Sequence, residues 1–532
     1  MTTDHGQSSA PLAPRHSTLS PAARPICWTI AGSDPSGGAG LQADLKTMHG
    51  LGVHACTVVS ALTVQNTTGV FHVESVAPAL LREQIERLAE DLPPVAVKLG
   101  MLGGAEQVRV VADFLATTKA FVVCDPVLAS SSGAALLDAD GWRLLRERIL
   151  PRADLLTPNF PELGKLLGPD FQGLEKSPHG DAAPTAAARV GAAPPCGDEL
   201  IRRAAAQLSQ RGARAVLIKG GHGVGEVAQD FFTDGKQSFW LTSPRLNVRH
   251  THGTGCTLAS AIAAARALGH PLSDALVIAK AYLNQGLRCG EDIGRGHGSL
   301  AHLDWPASPK DLPWLTCSGD LWPPAAGTAR RYSFPDCGPQ PLGLYPLVNR
   351  AAWLEKLLPL GITTIQLRAK DLTGVALEQE IVAAIEIARR AGARLFINDA
   401  WELALKHGAY GAHLGQEDVA GADLSALARA GLRLGISTHN YTELARAAAV
   451  RPSYIAIGPV FVTATKALAH PPLGVAGFQR LAALAPAPVV AIGALTPERA
   501  RDLPVANGFA VISDLQRASN LAARVRQWQQ NL

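Results

Sequence analysis

The chain has 532 residues, 47% hydrophobic and 18% charged, with a formal net charge of +4. That length exceeds one ordinary core and implies two or three domains of well-buried globular character. So small a charge argues against a broad nucleic-acid footprint, and the lack of a long charge-free apolar run argues against a membrane span, while local phosphate sites remain open.

Residues 1–24, rich in Pro, Ser, Ala and Thr and without an apolar core segment, read as a disordered N-terminal tail and not as a signal peptide. From 25 to 305, short β-branched runs alternate with Ala- and Leu-rich segments. ICWTI, VHACTVVSALTV, VAVKLG, FVVCD, DLLTPN and AVLIKGG read as buried strands. Helical patterns fall near 39–51, 79–91, 133–149, 199–211 and 255–268. The alternation predicts a parallel sheet covered by helices on both faces. Residues 169–197 break the rhythm and read as a flexible surface insertion.

Three clusters in this region carry chemistry. GSDPSGGAG at 32–40 is a glycine-rich turn between a strand and a helix, where backbone can approach a ligand closely. TPNFPEL at 157–163 sets Asn159 and Glu162 at a strand end, a pattern that suits a water-mediated magnesium site. THGTGCTLASAIAAA at 251–265 opens a strong helix with Gly253, Thr254 and Gly255, so free N–H groups point outward at its positive end. Cys256 lies in the first turn, where its thiol pKa is expected to fall. The bland readings are a tight chain reversal and a small buried residue in a helix cap.

Residues 306–341, dense in Pro and Gly, read as a linker, and Trp305, Trp314 and Trp322 imply that part of it packs on a domain surface. From 342 to 532 the rhythm changes. GLYPLV is followed by seven apolar runs that end in polar or glycine-rich residues, the pattern of a compact (β/α)₈ barrel with its chemistry at the strand ends. Arg368 and Lys370, two apart after a strand, point to one side and suit a diphosphate. Asp399 and Asp418 follow different strands but would meet at one barrel mouth, where two carboxylates plus diphosphate oxygens suit Mg²⁺. Asp399 could instead cap the next helix. Thr463, Thr465 and Lys466 offer two hydroxyls and a cation, a second phosphate-handling loop. Gly493 and the Ile512–Ser513 amides fit the phosphate site that barrels build after strands seven and eight. His413 and His439 read as packing or supporting residues. The eight cysteines form no C-x-x-C pair, and several lie in apolar runs, as reduced thiols of a cytoplasmic protein would.

The strings AGSDPSGGAGLQADLKT, SALTVQNTTGV, VKLGML, CDPV, TPNFPE, IKGGH and HGTGCTLASA run in order through 25–305. Together they resemble hydroxymethylpyrimidine (phosphate) kinase of the ribokinase-like superfamily. The resemblance implies a three-layer α/β/α domain with ATP as co-substrate. Gln65, Asp34 and Met101 would line the pyrimidine pocket, Lys219 and Asn159 would face ATP, and Glu162 would organise Mg²⁺. Gly253 and Gly255 would form the anion hole, and Cys256 would serve as base. Pyridoxal kinase is a close relative with a similar pocket, and Gln65 in its QNTTGV setting favours the pyrimidine. Ribokinase-like enzymes often dimerise, so a homo-oligomer is implied.

The strings TTIQLRAKD, LFINDAWELAL, GAHLGQEDV, LGISTHN, YIAIGPVFVTATK and PVVAIGAL resemble thiamine-phosphate synthase. That resemblance implies that Gln366, Arg368, Lys370, Asn398, Ser437 and Lys466 hold a pyrimidine diphosphate, with Lys466 stabilising the leaving group. Asp399 and Asp418 would hold Mg²⁺. Thr463, Thr465, the Gly493–Ala494 turn and Ile512–Ser513 would hold thiazole phosphate. Two departures touch the thiazole end. The family has two glycines where this chain has Gly493–Ala494, and a backbone contact survives Ala unless the turn needs positive φ; the last strand reads AVISDL where members commonly read VVSAI. The combined expectation is a bifunctional thiamine-biosynthesis enzyme acting on small molecules, with no nucleic-acid or membrane partner. A non-coupling barrel, either a thiazole tautomerase or a thiamine-phosphate sensor, is the alternative, and retention of Arg368, Lys370, both aspartates and Lys466 argues against it.

Overall fold

The computed structural model describes residues 24–127, 136–168, 198–221, 226–317, 333–462 and 471–532. The 169–197 insertion, Trp322, Thr463, Thr465, Lys466 and all but the last residue of the N-terminal tail lie outside the described residues.

The first unit is built on one ten-stranded sheet. Its strands are β1 (Ile26–Ser33), β2 (His54–Asn66), β3 (Gly69–Ser75), β4 (Ala96–Leu99) and β5 (Phe121–Cys124). They continue as β6 (Leu155–Leu156), β7 (Val216–Ile218), β8 (Val227–Thr233), β9 (Ser238–Pro244) and β10 (Trp314–Thr316). The spatial order is β3-β2-β1-β4-β5-β6-β7-β8-β9-β10. Successive residues of the central strands feed opposite cores: Cys27, Ala96, Val123 and Leu217 lie on one side, and Trp28, Val97, Val122 and Val216 on the other. Burial on both faces is why these strands read as continuous apolar runs.

The sheet is mixed, which corrects the expected parallel one. β1, β2, β4, β5, β6 and β7 run parallel, whereas β2–β3, β7–β8, β8–β9 and β9–β10 pair antiparallel. Asp234 and Gly235, with Gly235 at φ +80°, turn β8 back into β9 as a hairpin. The helix expected over 133–149 begins only at Ala139, because the Asp138 side chain accepts the Gly141 N–H and caps it there. It then loosens into a wider turn over Leu145–Ile149.

The second unit is a closed parallel barrel. Its strands are β11 (Gly343–Val348), β12 (Thr364–Leu367), β13 (Arg394–Asn398), β14 (Gly411–Leu414), β15 (Arg433–Thr438), β16 (Tyr454–Ile457), β17 (Val489–Ile492) and β18 (Gly508–Val511). Parity divides each strand. Leu344, Ile365, Leu367, Ile397, Leu414 and Ile455 belong to the core under the helices. Tyr345, Phe396, Tyr454, Val490 and Ala510 fill the interior. Gly435 makes room for this filling, since a Cβ there would stand 2.1 Å from Cζ of Tyr454.

The two units meet along the helix Tyr441–Val450, which packs on β10 and on the helix Leu272–Cys289. Trp305 lies 5.8 Å from the His270 ring and 6.2 Å from the Tyr441 ring, with the Arg480 guanidinium 4.5 Å above it. β10 thus sits within the segment read as a linker and adds the last strand to the sheet edge.

Candidate active sites

In the sheet unit, the two glycine clusters of the sequence are packed backbone to backbone. Gly253 has φ +83°, and a Cβ there would stand 1.9 Å from the Gly38 carbonyl oxygen, so only glycine fits. The Asp34 carboxylate binds the turn to the helix entrance. It accepts the N–H groups of Ser36 (2.8 Å), Gly38 (3.2 Å) and Ala39 (2.7 Å), the Ser36 hydroxyl (2.7 Å), and His252 Nε2 lies 3.1 Å away. Burial alone would raise its pKa, but the bonds from His252, Ser36 and Ala39 hold it well below the usual carboxylate range. Asp34 therefore shapes the loop, and its carboxylate is already occupied by protein donors. Met101 packs on Gly32 at the end of β1, with Sδ 3.0 Å from where a Cβ would stand. Gln65 is half-buried on β2, opposite Val70 of β3.

Behind the helix Thr254–Ala267 lies a charge cluster. Lys219 Nζ donates to Asp125 Oδ1 at 2.6 Å and lies 3.9 Å from Glu162 Oε2. A Cβ on Gly255 would come within 3.2 Å of Lys219 Nζ, so the glycine lets the lysine stand beside the helix N-terminus. Asn159 and Glu162 form a reciprocal capping box: Asn159 Oδ1 accepts the Glu162 N–H at 2.9 Å, and Glu162 Oε2 accepts the Asn159 N–H at 2.7 Å. Burial pushes Glu162 up to about 7, against the pull of Lys219.

Cys256 departs from expectation. Burial pushes its thiol up to about 11, and although Lys98 pulls it down, Asp44 and Asp125 push the same way as burial. The helix N-terminus does not overcome desolvation and two nearby carboxylates. Lys98 itself is fully buried and pairs with Asp44 at 2.7 Å. Asp44 also accepts the hydroxyls of Thr29 and Ser260, each at 2.6 Å. The motif patterns do not mark Asp125, Lys98, Asp44 or His252. The available signal was a charge inside an apolar run, VAVKLG and FVVCD, because a buried charge must be paired.

In the barrel, interior parity brings Gln366, Asn398, His413 and Ser437 to the C-terminal ends of β12, β13, β14 and β15. Gln366 is 2% exposed, and its Nε2 has no hydrogen-bond partner among the described residues. A buried donor left unpaired is costly, so this one calls for a partner such as water or a ligand. Asp399 adopts the left-handed conformation at φ +61° and is anchored by its N–H to the His413 carbonyl at 3.0 Å. Its carboxylate lies 3.3 Å from Lys370 Nζ. Burial and then Asp399 raise the pKa of Asp418. Arg368 is half-buried and directly follows β12. His413 bridges Ser437 and Tyr454, and burial pushes its ring down to about 4. His439 bonds Glu443 at 2.7 Å, a local contact.

At the other side of the mouth, Gly493 has φ +116° and Ala494 φ +47°. The turn does take positive φ at the alanine, so this departure from the two-glycine pattern carries backbone strain. Ala494 and Ser513 border a cavity of about 520 Å³ that Arg499 and Arg517 also line. Ile512 leads into the short helix Ser513–Gln516.

Two phosphate-handling enzymes in one chain are what these sites describe: a ribokinase-like kinase followed by a catalytic (β/α)₈ barrel. Residues 34–192 and 183–301 match the phosphomethylpyrimidine kinase family, and residues 345–515 match the thiamine monophosphate synthase family. The chain is 33% identical over 527 residues to a probable thiamine biosynthetic bifunctional enzyme of Oryza sativa subsp. japonica, covering 95% of this chain and 89% of the relative. It is 42% identical over 283 residues to the hydroxymethylpyrimidine/phosphomethylpyrimidine kinase of Streptomyces coelicolor, covering 53% of this chain and 96% of that one. It is 51% identical over 189 residues to the thiamine-phosphate synthase of Yersinia pestis, covering 34% of this chain and 88% of the relative. The chain belongs to the bifunctional thiamine biosynthetic enzymes, joining a hydroxymethylpyrimidine/phosphomethylpyrimidine kinase to a thiamine-phosphate synthase. Membership of the kinase family makes ATP its co-substrate. No helix among the described residues is long and apolar enough to cross a membrane.

Proposed function

We propose that the sheet unit phosphorylates 4-amino-5-hydroxymethyl-2-methylpyrimidine and then its monophosphate, and that the barrel couples the resulting diphosphate to thiazole phosphate. In the kinase, the amides at Gly253–Gly255 receive the transferring phosphoryl group, and Lys219 stands beside it. Gln65 and Met101 lie on the pyrimidine side. Asn159 and Glu162 border the nucleotide end, where Glu162 has the carboxylate to support Mg²⁺. Cys256 takes the substrate hydroxyl proton only once its own thiol has been deprotonated, so we assign it a base role that depends on the charges brought by bound ligands.

In the barrel, Arg368 and Lys370 hold the diphosphate, and Gln366, Asn398 and Ser437 hold the pyrimidine. Asp399 and Asp418 fit Mg²⁺, since two adjoining carboxylates supplemented by substrate phosphate oxygens form the kind of donor set that ion takes. When bound, Mg²⁺ would neutralise charge on the leaving pyrophosphate. The CH₂–O bond breaks heterolytically, with the electron pair leaving on pyrophosphate and the 4-amino group donating density to the CH₂ carbon. The thiazole nitrogen lone pair then forms the new C–N bond. Thr463, Thr465, Gly493, Ala494, Ile512 and Ser513 are assigned to the thiazole phosphate, and Lys466 to the leaving group. The free cysteines suit a compartment that keeps thiols reduced, and we assign the protein to the cytoplasm.

The observation that carries the coupling assignment is the joint placement of the unpaired Gln366 amide, the Lys370–Asp399 pair and Asp418 around one barrel mouth. Incubation with hydroxymethylpyrimidine, ATP, Mg²⁺ and thiazole phosphate tests it. Thiamine phosphate should form, and Asp399→Ala should abolish it while pyrimidine diphosphate still accumulates. Accumulation of the diphosphate by the unaltered protein, without thiamine phosphate, would leave only a kinase.

A further inference from the structure

A chain of four hydrogen-bonding groups crosses the barrel interior. The Tyr345 and Tyr454 hydroxyls lie 2.8 Å apart, Tyr454 OH lies 2.7 Å from His413 Nδ1, and His413 Nε2 lies 2.8 Å from Ser437 Oγ. Tyr345 and Tyr454 are 1% and 0% exposed, so bulk water satisfies neither hydroxyl. Gly435 leaves the space that the Tyr454 ring fills, and that ring stacks on His413 at 21°.

The direction of each bond follows from proton counting. Among the described residues, Tyr345 OH has one partner, Tyr454. If Tyr345 only accepted, its own proton would be buried and unpaired, which is costly, so Tyr345 donates to Tyr454. Tyr454 has one proton left to give and donates it to His413 Nδ1. An accepting Nδ1 puts the ring proton on Nε2. Nε2–H therefore donates to Ser437 Oγ, and among the described residues the Ser437 hydroxyl proton is left without a protein acceptor.

We infer that Tyr345, Tyr454 and His413 are positioning residues that fix Ser437 as a hydrogen-bond donor to an acceptor atom of the bound pyrimidine, a ring nitrogen, and not as an acceptor from its exocyclic amine. This rests on the barrel binding a pyrimidine, as proposed above. The amine is a poor acceptor because its lone pair is delocalised into the ring, whereas a ring nitrogen presents an in-plane lone pair. The same polarity leaves the amine lone pair free to stabilise the developing CH₂ cation. A serine accepting from the amine would also leave that lone pair free, so the discriminating feature is the donor direction itself.

The test has two arms on the full-length protein. Histidine-selective ¹⁵N labelling, with His413 assigned from the signal missing in His413→Asn, reads the tautomer. The expected state is Nε2–H with an accepting Nδ1, and an Nδ1–H signal would overturn the inference. The second arm compares binding of the pyrimidine diphosphate with two analogues in which one or the other ring nitrogen is CH. For one analogue the unaltered protein should lose roughly tenfold or more in affinity, and Ser437→Ala should no longer distinguish it from the parent. If Ser437→Ala discriminates against both analogues as strongly as the unaltered protein, Ser437 donates to neither nitrogen and the inference falls. Failure to make thiamine phosphate would instead count against the coupling assignment and would leave the tautomer result standing.

Discussion

The Asp274 carboxylate accepts the backbone N–H of Thr442 at 2.9 Å, and the Thr442 hydroxyl as well, across 168 residues of sequence. Asp274 lies in the first turn of a kinase helix, and Thr442 in the first turn of a barrel helix. One domain thus satisfies an N-terminal amide that the other's helix leaves open. Both residues are buried.

Asp274→Ala should leave that amide without a partner and cost about 1–3 kcal/mol. Because the lost bond joins the domains, calorimetry should show the kinase and barrel transitions moving apart relative to the unaltered protein. An unchanged profile would mean that the aromatic contacts around Trp305 hold the interface alone.

Ala494→Gly should stabilise the barrel. The alanine sits at φ +47°, and removing its Cβ relieves strain of about 1 kcal/mol, partly offset by the greater freedom of glycine in the unfolded chain. A rise of a few degrees at most in the barrel's Tm is expected. A fall would mean that the alanine methyl contributes packing worth more than the strain.

Cys256 should alkylate slowly at neutral pH. A pKa raised to about 11 leaves only a small thiolate fraction at pH 7, and that fraction grows as pH rises toward 11. Iodoacetamide labelling of the Cys256 peptide, followed by mass spectrometry against pH, should climb steadily through pH 9–10. A plateau already reached below pH 8 would show that the helix N-terminus outweighs burial.

Lys98→Met should destabilise the kinase strongly, by about 3–5 kcal/mol, because it leaves the buried Asp44 carboxylate without its cation. Chemical denaturation would read this as a lower midpoint for the kinase transition. A Lys98→Met/Asp44→Leu double variant should recover part of the loss, since removing both charges abolishes the unpaired one.

Much of this architecture is legible in the sequence because the informative patterns are local. Apolar runs mark the strands, and each barrel run delivers its polar residues at its own C-terminal end. The Gly-rich turn at 32–40 and the helix entrance at 253–255 are each visible alone, but the Gly38–Gly253 contact that joins them is not. Asp234–Gly235 is a local mark of the antiparallel β8–β9 hairpin, but it lies in a stretch whose rhythm is that of a parallel sheet. Other features need the closed fold. Tyr345 and Tyr454 are 109 residues apart and touch only because the barrel closes, and the Cys256 pKa depends on carboxylates that come from other strands and helices.

β10 has a consequence for biosynthesis. The kinase sheet ends on the seven-residue strand β9 until residues 314–316 arrive, and an open edge of that length is a template for pairing with another chain. As the chain leaves the ribosome, the strand that closes the edge comes out only a short way ahead of β11. The β9 edge therefore stays unpaired while residues 245–313 are made, and the segment that then pairs with Trp240–Thr242 is the one that leads into the barrel.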